Sequence, residues 1–187
     1  MDSNRSDAVK KLGELIKDIK IAMLTTADTD GSLRSRPMAT QTQAFDGDLW
    51  FFTREHSGKV DEVQREHQVN VSYAAPSDNR YVSVSGTGRI VTDRAKIKEL
   101  WSPVLKAWFP KGEDDPEIAL IKVTAEKAEY WDAPSGTMVK LIGFVKAIAT
   151  GKTYEPGENK KLDLGGEQDR PNDPDRALEE DVTRSHA

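Results

Sequence analysis

The sequence predicts a mainly β domain: antiparallel strands in a closed or split barrel, with helices at the connections and ends. Three observations predict it. Stretches of strand length, apolar or alternating, recur through the body of the chain. Turn signals separate them, which sets sequence neighbours up as hairpins. Helical periodicity is confined to a few places, so the regular strand–helix–strand alternation of a parallel sheet is missing.

Each element has a local reason. Val9, Leu12, Leu15, Ile16 and Ile19 recur at helical spacing and predict a helix over 7–20. IAMLTTA (21–27) is a short apolar strand, and Asp28-Thr29-Asp30-Gly31 is a turn. LRSRPMATQTQAF (33–45) reads as a long strand. Asp46-Gly47 then signals a hairpin with DLWFFT (48–53) as the partner. A helix over 58–67 follows, with Ser57 at the N-cap.

VNVSYA (69–74) and RYVSVSGTGRIV (80–91) are strands around Pro76-Ser77-Asp78-Asn79. Asp93 caps a helix whose apolar positions are Ile97, Leu100, Trp101, Val104, Leu105 and Trp108, with Pro103 as its break or kink. EIALIKV (117–123) and AEKAEYW (125–131) read as two strands. Met138, Leu141, Ile142, Val145 and Ala149 mark a last amphipathic helix that stops near Gly151.

Residues 1–152 therefore read as one folded domain, as expected for a chain of 187 residues. Residues 153–187 read as a polar, acidic C-terminal tail. Residues 151–187 hold 10 acids, 6 bases and only 7 apolar side chains, too few to offset the entropy of ordering. The tail is expected to be mobile, with a short helical turn over 177–182.

Composition excludes several kinds of chemistry. The absence of cysteine removes disulfides, thiolate metal sites, iron–sulfur clusters and cysteine nucleophiles. Three scattered histidines make no histidine-only metal site. A net charge of −5 argues against a duplex nucleic-acid partner. The longest run without a polar residue, Leu141–Val145, is far too short to span a membrane, and the N-terminus lacks the apolar core of a signal peptide. A cytoplasmic protein is expected.

Two segments carry candidate chemistry. In LRSRPM, Arg34, Arg36 and Met38 share one strand face. Two arginines so close repel unless solvent or an anion separates them, so the face is either solvated or an anion contact. In FFTREHSGKV (51–60), a strand ends at Thr53 and a helix begins at Gly58-Lys59. The open amides of a helix start, two hydroxyls and an ammonium suit a phosphate. The alternative is an ordinary capped helix with a surface lysine. With both segments on one hairpin, the anion site is favoured.

SRPMATQ (35–41) followed by WFFTREHSGKV (50–60) resembles the flavin-binding pattern of the pyridoxamine 5′-phosphate oxidase superfamily. The likeness is nearest to its general stress protein 26-like branch of FMN-binding split barrels, and it continues through residues 81–110 and 114–132. It spans about residues 10–150 and implies an antiparallel split β-barrel and FMN, with FAD as an alternative. It also implies a homodimer with the cofactor at the subunit interface. By that resemblance Ser35 and Arg36 begin the first flavin-binding strand, with the arginine on the phosphate. Pro37, Met38 and Ala39 lie along the flavin ring edge with their backbone, and Phe52 and Thr53 are the aromatic–threonine pair. Thr53, Ser57 and Lys59 form the phosphate loop. Trp131, with Trp101, Trp108 and Phe109, is either a candidate to cover a flavin or line a dimer contact, or an ordinary core aromatic.

Three departures matter. Gly58 replaces an arginine usual in the vitamin B6 oxidases, with Arg34 or Arg54 as candidate substitutes. Gln41 replaces a substrate-holding lysine. The W-x-x-x-R-L-x-P signature is absent after Trp131. The last two argue against pyridoxamine phosphate oxidation. The resemblance therefore implies a flavin-dependent oxidoreductase of unknown substrate, or a stress protein that binds or senses flavin without turnover. A relative of the fold that takes a deazaflavin or haem is a further alternative. No catalytic side chain and no metal ligand stands out. His56 is either a proton donor near the cofactor or a solvated loop residue. SVSGTG (83–88) opens no helix, so it reads as a strand with glycines at a bulge or bend, not a dinucleotide loop. Glu113-Asp114-Asp115 reads as a loop leading into a strand.

Overall fold

A computed structural model describes residues 3–41, 44–132 and 158–164. The expected helix over 138–149, the turn over 177–182 and most of the tail lie outside the described residues. In chain order the elements are α1 (Ser3–Ile16), β1 (Ile21–Ala27), β2 (Leu33–Ala39), β3 (Asp48–Arg54), α2 (Gly58–Arg65), β4 (Gln68–Ala75), β5 (Arg80–Val91), α3 (Arg94–Leu100), β6 (Ile118–Asp132) and β7 (Glu158–Asp163). Short 3-10 segments cover Pro76–Asp78 and Pro103–Ala107.

The strands form one antiparallel sheet in the order β2-β1-β4-β5-β6-β3. Two hairpins are as expected. The Asp28–Ser32 turn joins β1 to β2, with Gly31 at φ +80°, and the Pro76–Asn79 turn joins β4 to β5, with Asn79 at φ +52°. Both left-handed positions fall on residue types that tolerate them.

The third expected hairpin does not form. Asp46-Gly47 signals a tight β2–β3 turn, but β2 ends at Ala39 and pairs along its full length with β1, while β3 pairs with β6. Gly47 does adopt φ +115°, yet its carbonyl accepts from Ala125 N–H at 2.9 Å, outside any β2–β3 ladder. The shorter β2 follows from the same pairing. Its partner β1 ends its ladder at Ile21↔Ala39. β2 and β3 are thus the two ends of the sheet order, with no ladder between them. That break makes this a split barrel.

The stretch 117–131 forms one strand, not two. β6 runs unbroken over 15 residues and absorbs its irregularity as a bulge opposite Ser85 and Gly86. The glycine is required there: a Cβ on Gly86 would lie 2.1 Å from the Thr124 carbonyl oxygen. The bulge reading of SVSGTG therefore holds. One edge of β6 is shared, with β3 along its first half and β7 along its second.

β7 corrects the expected mobile tail over Glu158–Asp163. These residues complete the edge left free where β3 stops. Leu164, just beyond, is buried in the main core. A polar strand needs few apolar contacts of its own when the sheet supplies the backbone partners.

Two cores fix the barrel. The main one joins Leu12, Leu15 and Ile16 of α1 to Leu24, Phe51, Val71, Val84, Ile121 and Val123. The second packs α3 and the 3-10 segment over Phe52, Ile118 and Leu120, using Ile97, Leu100, Leu105 and Phe109. Phe52 meets Trp101 edge-on at 5.9 Å between ring centroids. Asp93 caps α3 by accepting from Ala95 N–H at 3.0 Å, and Pro103 starts the 3-10 segment. Asp114 pairs with Lys98 at 3.0 Å, and Asp115 accepts from Glu117 N–H at 3.1 Å. No described helix is long and apolar enough to cross a membrane.

Candidate functional site

The split between β2 and β3 is a cleft of about 460 Å³. One wall is the free edge of β2, where Pro37, Met38 and Ala39 line the cleft as consecutive residues. Consecutive strand residues point to opposite faces, so three in a row line a cleft only by presenting the strand's edge. Phe52, Thr53 and Arg54 of β3 form the facing wall, and Ser57 and Lys59 bring in the start of α2. Leu105, Trp108 and Phe109 close the remaining side with apolar surface. A mostly apolar cleft of this size with a few convergent polar groups suits a small molecule or cofactor.

The polar corner is local. The Thr53 and Ser57 hydroxyls lie 3.1 Å apart. Ser57 occupies the N-cap position, but its side chain makes no capping hydrogen bond. The first amides of α2 are therefore left without a side-chain acceptor, and the helix end carries partial positive charge. The Lys59 ammonium, half-buried, has no ion pair or hydrogen bond among the described residues. Burial holds its pKa below the ordinary 10.5, and the nearby Arg36 charge adds to that, against an opposing pull from Glu62.

The expected site residues are distributed unevenly. Pro37, Met38, Phe52, Thr53, Ser57 and Lys59 all line the cleft. Ser35 does not: its hydroxyl bonds Thr25 at 2.7 Å on the exposed sheet face. Arg36 does not line it either. Its guanidinium is held by Glu62 and Thr26, close enough to Lys59 for its charge to act on that ammonium. Trp131 sits on the outer sheet face opposite Tyr81 in the β5–β6 ladder, in a depression with Ile21 and Met23.

The arginine repulsion has a simple resolution. Arg34 pairs with Asp28 at 2.5 Å and Arg36 with Glu62 at 2.7 Å. Arg54 does reach the cleft but is committed to Glu117 at 3.0 Å and to the Trp108 carbonyl at 3.3 Å. His56 is exposed and does not line the cleft.

Sequence reasoning missed Glu62. A signal existed: Glu62 lies between the buried Val60 and Val63 of α2, and a carboxylate at such a position demands a cation.

A larger cleft, about 620 Å³, opens between α1 and α3, with Trp50 and Phe51 among its lining. Its charged lining includes Glu14 paired with Lys17, Asp48 paired with Lys122, and Lys96 paired with Glu99. Its remaining lysine, Lys10, lies in the middle of α1, and the start of α3 is already capped by Asp93, so the smaller cleft is the candidate site.

An antiparallel barrel split at one seam, with hydroxyls and a lysine at a strand-to-helix junction beside that seam, defines the pyridoxamine phosphate oxidase-like class of split barrels. The chain belongs to the pyridoxamine 5′-phosphate oxidase-like family, whose model matches residues 7–155. Its relatives include protein bli-3 of Neurospora crassa, 32% identical over 77% of this chain and 74% of that one. General stress protein 26 of Bacillus subtilis is 24% identical over 74% of this chain and 98% of its own. Among solved structures, a general stress protein 26 assignment from Jannaschia sp. CCS1 superposes with a TM-score of 0.68 at 28% identity, covering 84% of this chain and 99% of that one. The general stress FMN/FAD binding protein of Xanthomonas citri gives 0.58 at 28% identity, covering 68% and 89%.

Proposed function

We propose that this protein binds FMN in the split between β2 and β3 and works as a flavin-dependent oxidoreductase. The observation that carries the reading is the unpartnered, half-buried Lys59 ammonium beside the Thr53–Ser57 hydroxyl pair and the start of α2. A dianionic phosphate satisfies all of them at once. The apolar remainder of the cleft, with Phe52, Leu105 and Phe109, suits a flat ring, and the free β2 edge offers backbone groups to the ring's polar rim. The description of the Xanthomonas citri relative as FMN/FAD-binding supports the same ligand class.

The flavin, when bound, supplies the hydride or electron chemistry. The chain's part is to grip the phosphate with Thr53, Ser57 and Lys59, to seat the ring between β2 and Phe52, and to exclude water with Trp108 and Phe109. Among the described residues, the only ionisable groups lining the cleft are Arg54 and Lys59. That agrees with cofactor-borne redox chemistry, and it equally favours a second reading, a protein that holds or senses flavin without turnover.

The reading includes a homodimer. Ile21, Met23, Tyr81 and Trp131 are large apolar side chains exposed on the outer sheet face, and Ile21 borders both that face and the cleft. A second subunit on this face would cover them and place Trp131 beside the partner's cofactor.

The test is a visible absorbance spectrum of the purified protein, with FMN added if it emerges colourless. A flavin band that shifts on binding and bleaches with NADPH supports the oxidoreductase. A band inert to NADH and NADPH favours the binding or sensing protein. The variant Lys59→Ala is expected to lose FMN while keeping its fold, since Lys59 has no ion pair to break among the described residues. Parental affinity in that variant removes the phosphate assignment.

A further inference from the structure

Arg36 and Glu62 meet end-on. Arg36 Nη1 donates to Glu62 Oε2 and Nη2 donates to Glu62 Oε1, both at 2.7 Å. Nη1 gives its second hydrogen to Thr26 Oγ1 at 2.8 Å, and Thr26 Oγ1 donates to Glu62 Oε2 at 2.5 Å, closing a triangle. Glu62 is 5% exposed. Burial alone would raise its pKa, but the bonds from Arg36 and Thr26 hold it below the ordinary carboxylate value. The carboxylate is therefore charged and immobile.

A guanidinium has five donors along three edges. Here three donors are committed, and those left are Nε–H and the second Nη2–H. Nη2 is the nitrogen on the Nε–H side, so the two share one edge. That edge is a complete second fork, the geometry that grips an oxyanion through two parallel bonds. It has no partner among the described residues. Arg36 also lies close enough to Lys59 for its charge to act on that ammonium.

We infer that Glu62 is a positioning residue of the anion cradle: it clamps one edge of Arg36 so that the opposite edge is held ready for the phosphate of the ligand. This rests on the flavin-phosphate reading above. Glu62 touches no ligand. It neutralises Arg36, so that the arginine adds a directional fork without adding net charge, and Lys59 supplies the cation. Without the clamp, Arg36 regains its rotamer freedom and must be ordered again at each binding event.

The experiment compares FMN with riboflavin, which has the same ring and no phosphate. Both are titrated by flavin fluorescence into the wild-type protein and Glu62→Gln, with thermal melts alongside. Glu62→Gln keeps the shape but loses the charge, and its amide hydrogens face the Arg36 donors. The expected result is an FMN affinity about tenfold weaker or worse, with riboflavin affinity unchanged to within about twofold. Equal weakening of both ligands means a structural role only and overturns the inference. Unchanged or tighter FMN binding overturns it as well.

Should Glu62→Gln fail to fold, Arg36→Lys takes its place. One ammonium cannot serve the Glu62 carboxylate and a phosphate edge together. The same selective loss of FMN is expected, and parental FMN affinity overturns the inference. If the wild-type protein itself does not prefer FMN to riboflavin, the phosphate reading and the inference fall together. If it prefers FMN and Glu62→Gln keeps that preference, only the role of Glu62 falls.

Discussion

The hydroxyls of Thr53 and Ser57 stand 3.1 Å apart, although one ends a strand and the other precedes a helix. Thr53 is 3% exposed, so its hydroxyl is a buried group aimed at the corner where the cleft meets α2. Thr53→Val and Ser57→Ala each remove one donor with little change of shape. Each is expected to weaken FMN binding by about tenfold, the worth of a hydrogen bond to a charged group. Isothermal titration of the two variants against the parent measures this. Parental affinity in both would place the phosphate elsewhere.

Lys59 makes binding pH-dependent on the alkaline side. Its pKa in the free protein lies below 10.5 because of burial and then of Arg36. An anion beside the ammonium raises that pKa. Binding therefore takes up a proton wherever the pH lies between the free and bound values. FMN affinity is expected to be flat below the free value and to fall as pH rises through it. Lys59→Arg, which stays protonated, should flatten the alkaline limb. Dissociation constants at several pH values above neutrality decide it. An identical alkaline limb in the arginine variant counts against Lys59 as the titrating group.

Glu62 makes stability pH-dependent on the acid side. Its pKa in the folded chain is lower than the ordinary 4.5. The stabilisation from its charged form is complete above that ordinary value and is lost as pH falls through the folded value. Urea midpoints of the parent and Glu62→Gln should thus differ at neutral pH and converge as the pH drops below 4.5. A gap that stays constant through the acid range would mean that the carboxylate's charge is not what stabilises.

Leu164 distinguishes a docked strand from a loose tail. It is 1% exposed and sits in the main core directly after β7. Leu164→Ala is expected to cost roughly 2–5 kcal/mol of stability, as for other fully buried leucines. FMN affinity should be unchanged, because Leu164 lines no part of the cleft. Chemical denaturation and an FMN titration of the same sample read both. A change below about 0.5 kcal/mol would fit a solvent-facing position instead.

The proposed homodimer would bury the outer sheet face. Tyr81 and Trp131 are directly opposed in the β5–β6 ladder and are 42% and 41% exposed. Replacing both with lysine places like charges face to face, which two copies of the surface would tolerate poorly. The parent should run as a dimer in light scattering and the double variant as a monomer. A parent that runs as a monomer contradicts the homodimer.

Local chemistry was readable wherever the interacting residues are close in sequence. The strands at 21–27 and 80–91 follow alternating or apolar runs and appear at those bounds. Asp93 caps α3 because an aspartate before a helix reaches amides only two residues on. Thr53, Ser57 and Lys59 come together because they span one strand end and one helix start. Two of the misreadings are of partner choice. Asp46-Gly47 has the composition of a hairpin turn, but β1 had already taken β2 through the tighter Asp28–Ser32 turn. The polar stretch at 158–163 has no apolar pattern, yet it pairs where β6 offers an unoccupied edge.

The sequence by itself determined the kinds of element, the faces they bury and the composition of the polar corner at Thr53, Ser57 and Lys59. A period of two or of 3.6 residues is a property of the local chain. Only the tertiary structure decided which edges meet. Period-two patterning specifies a strand's faces but says nothing about which strand lies beside it. That choice left β2 and β3 unpaired across a cleft and put Trp131 on the outer sheet face, outside the cleft lining. It also brought Glu62 to Arg36, 26 positions away in the chain. Contacts at that separation are set by how the whole core closes, and no short stretch of sequence records them.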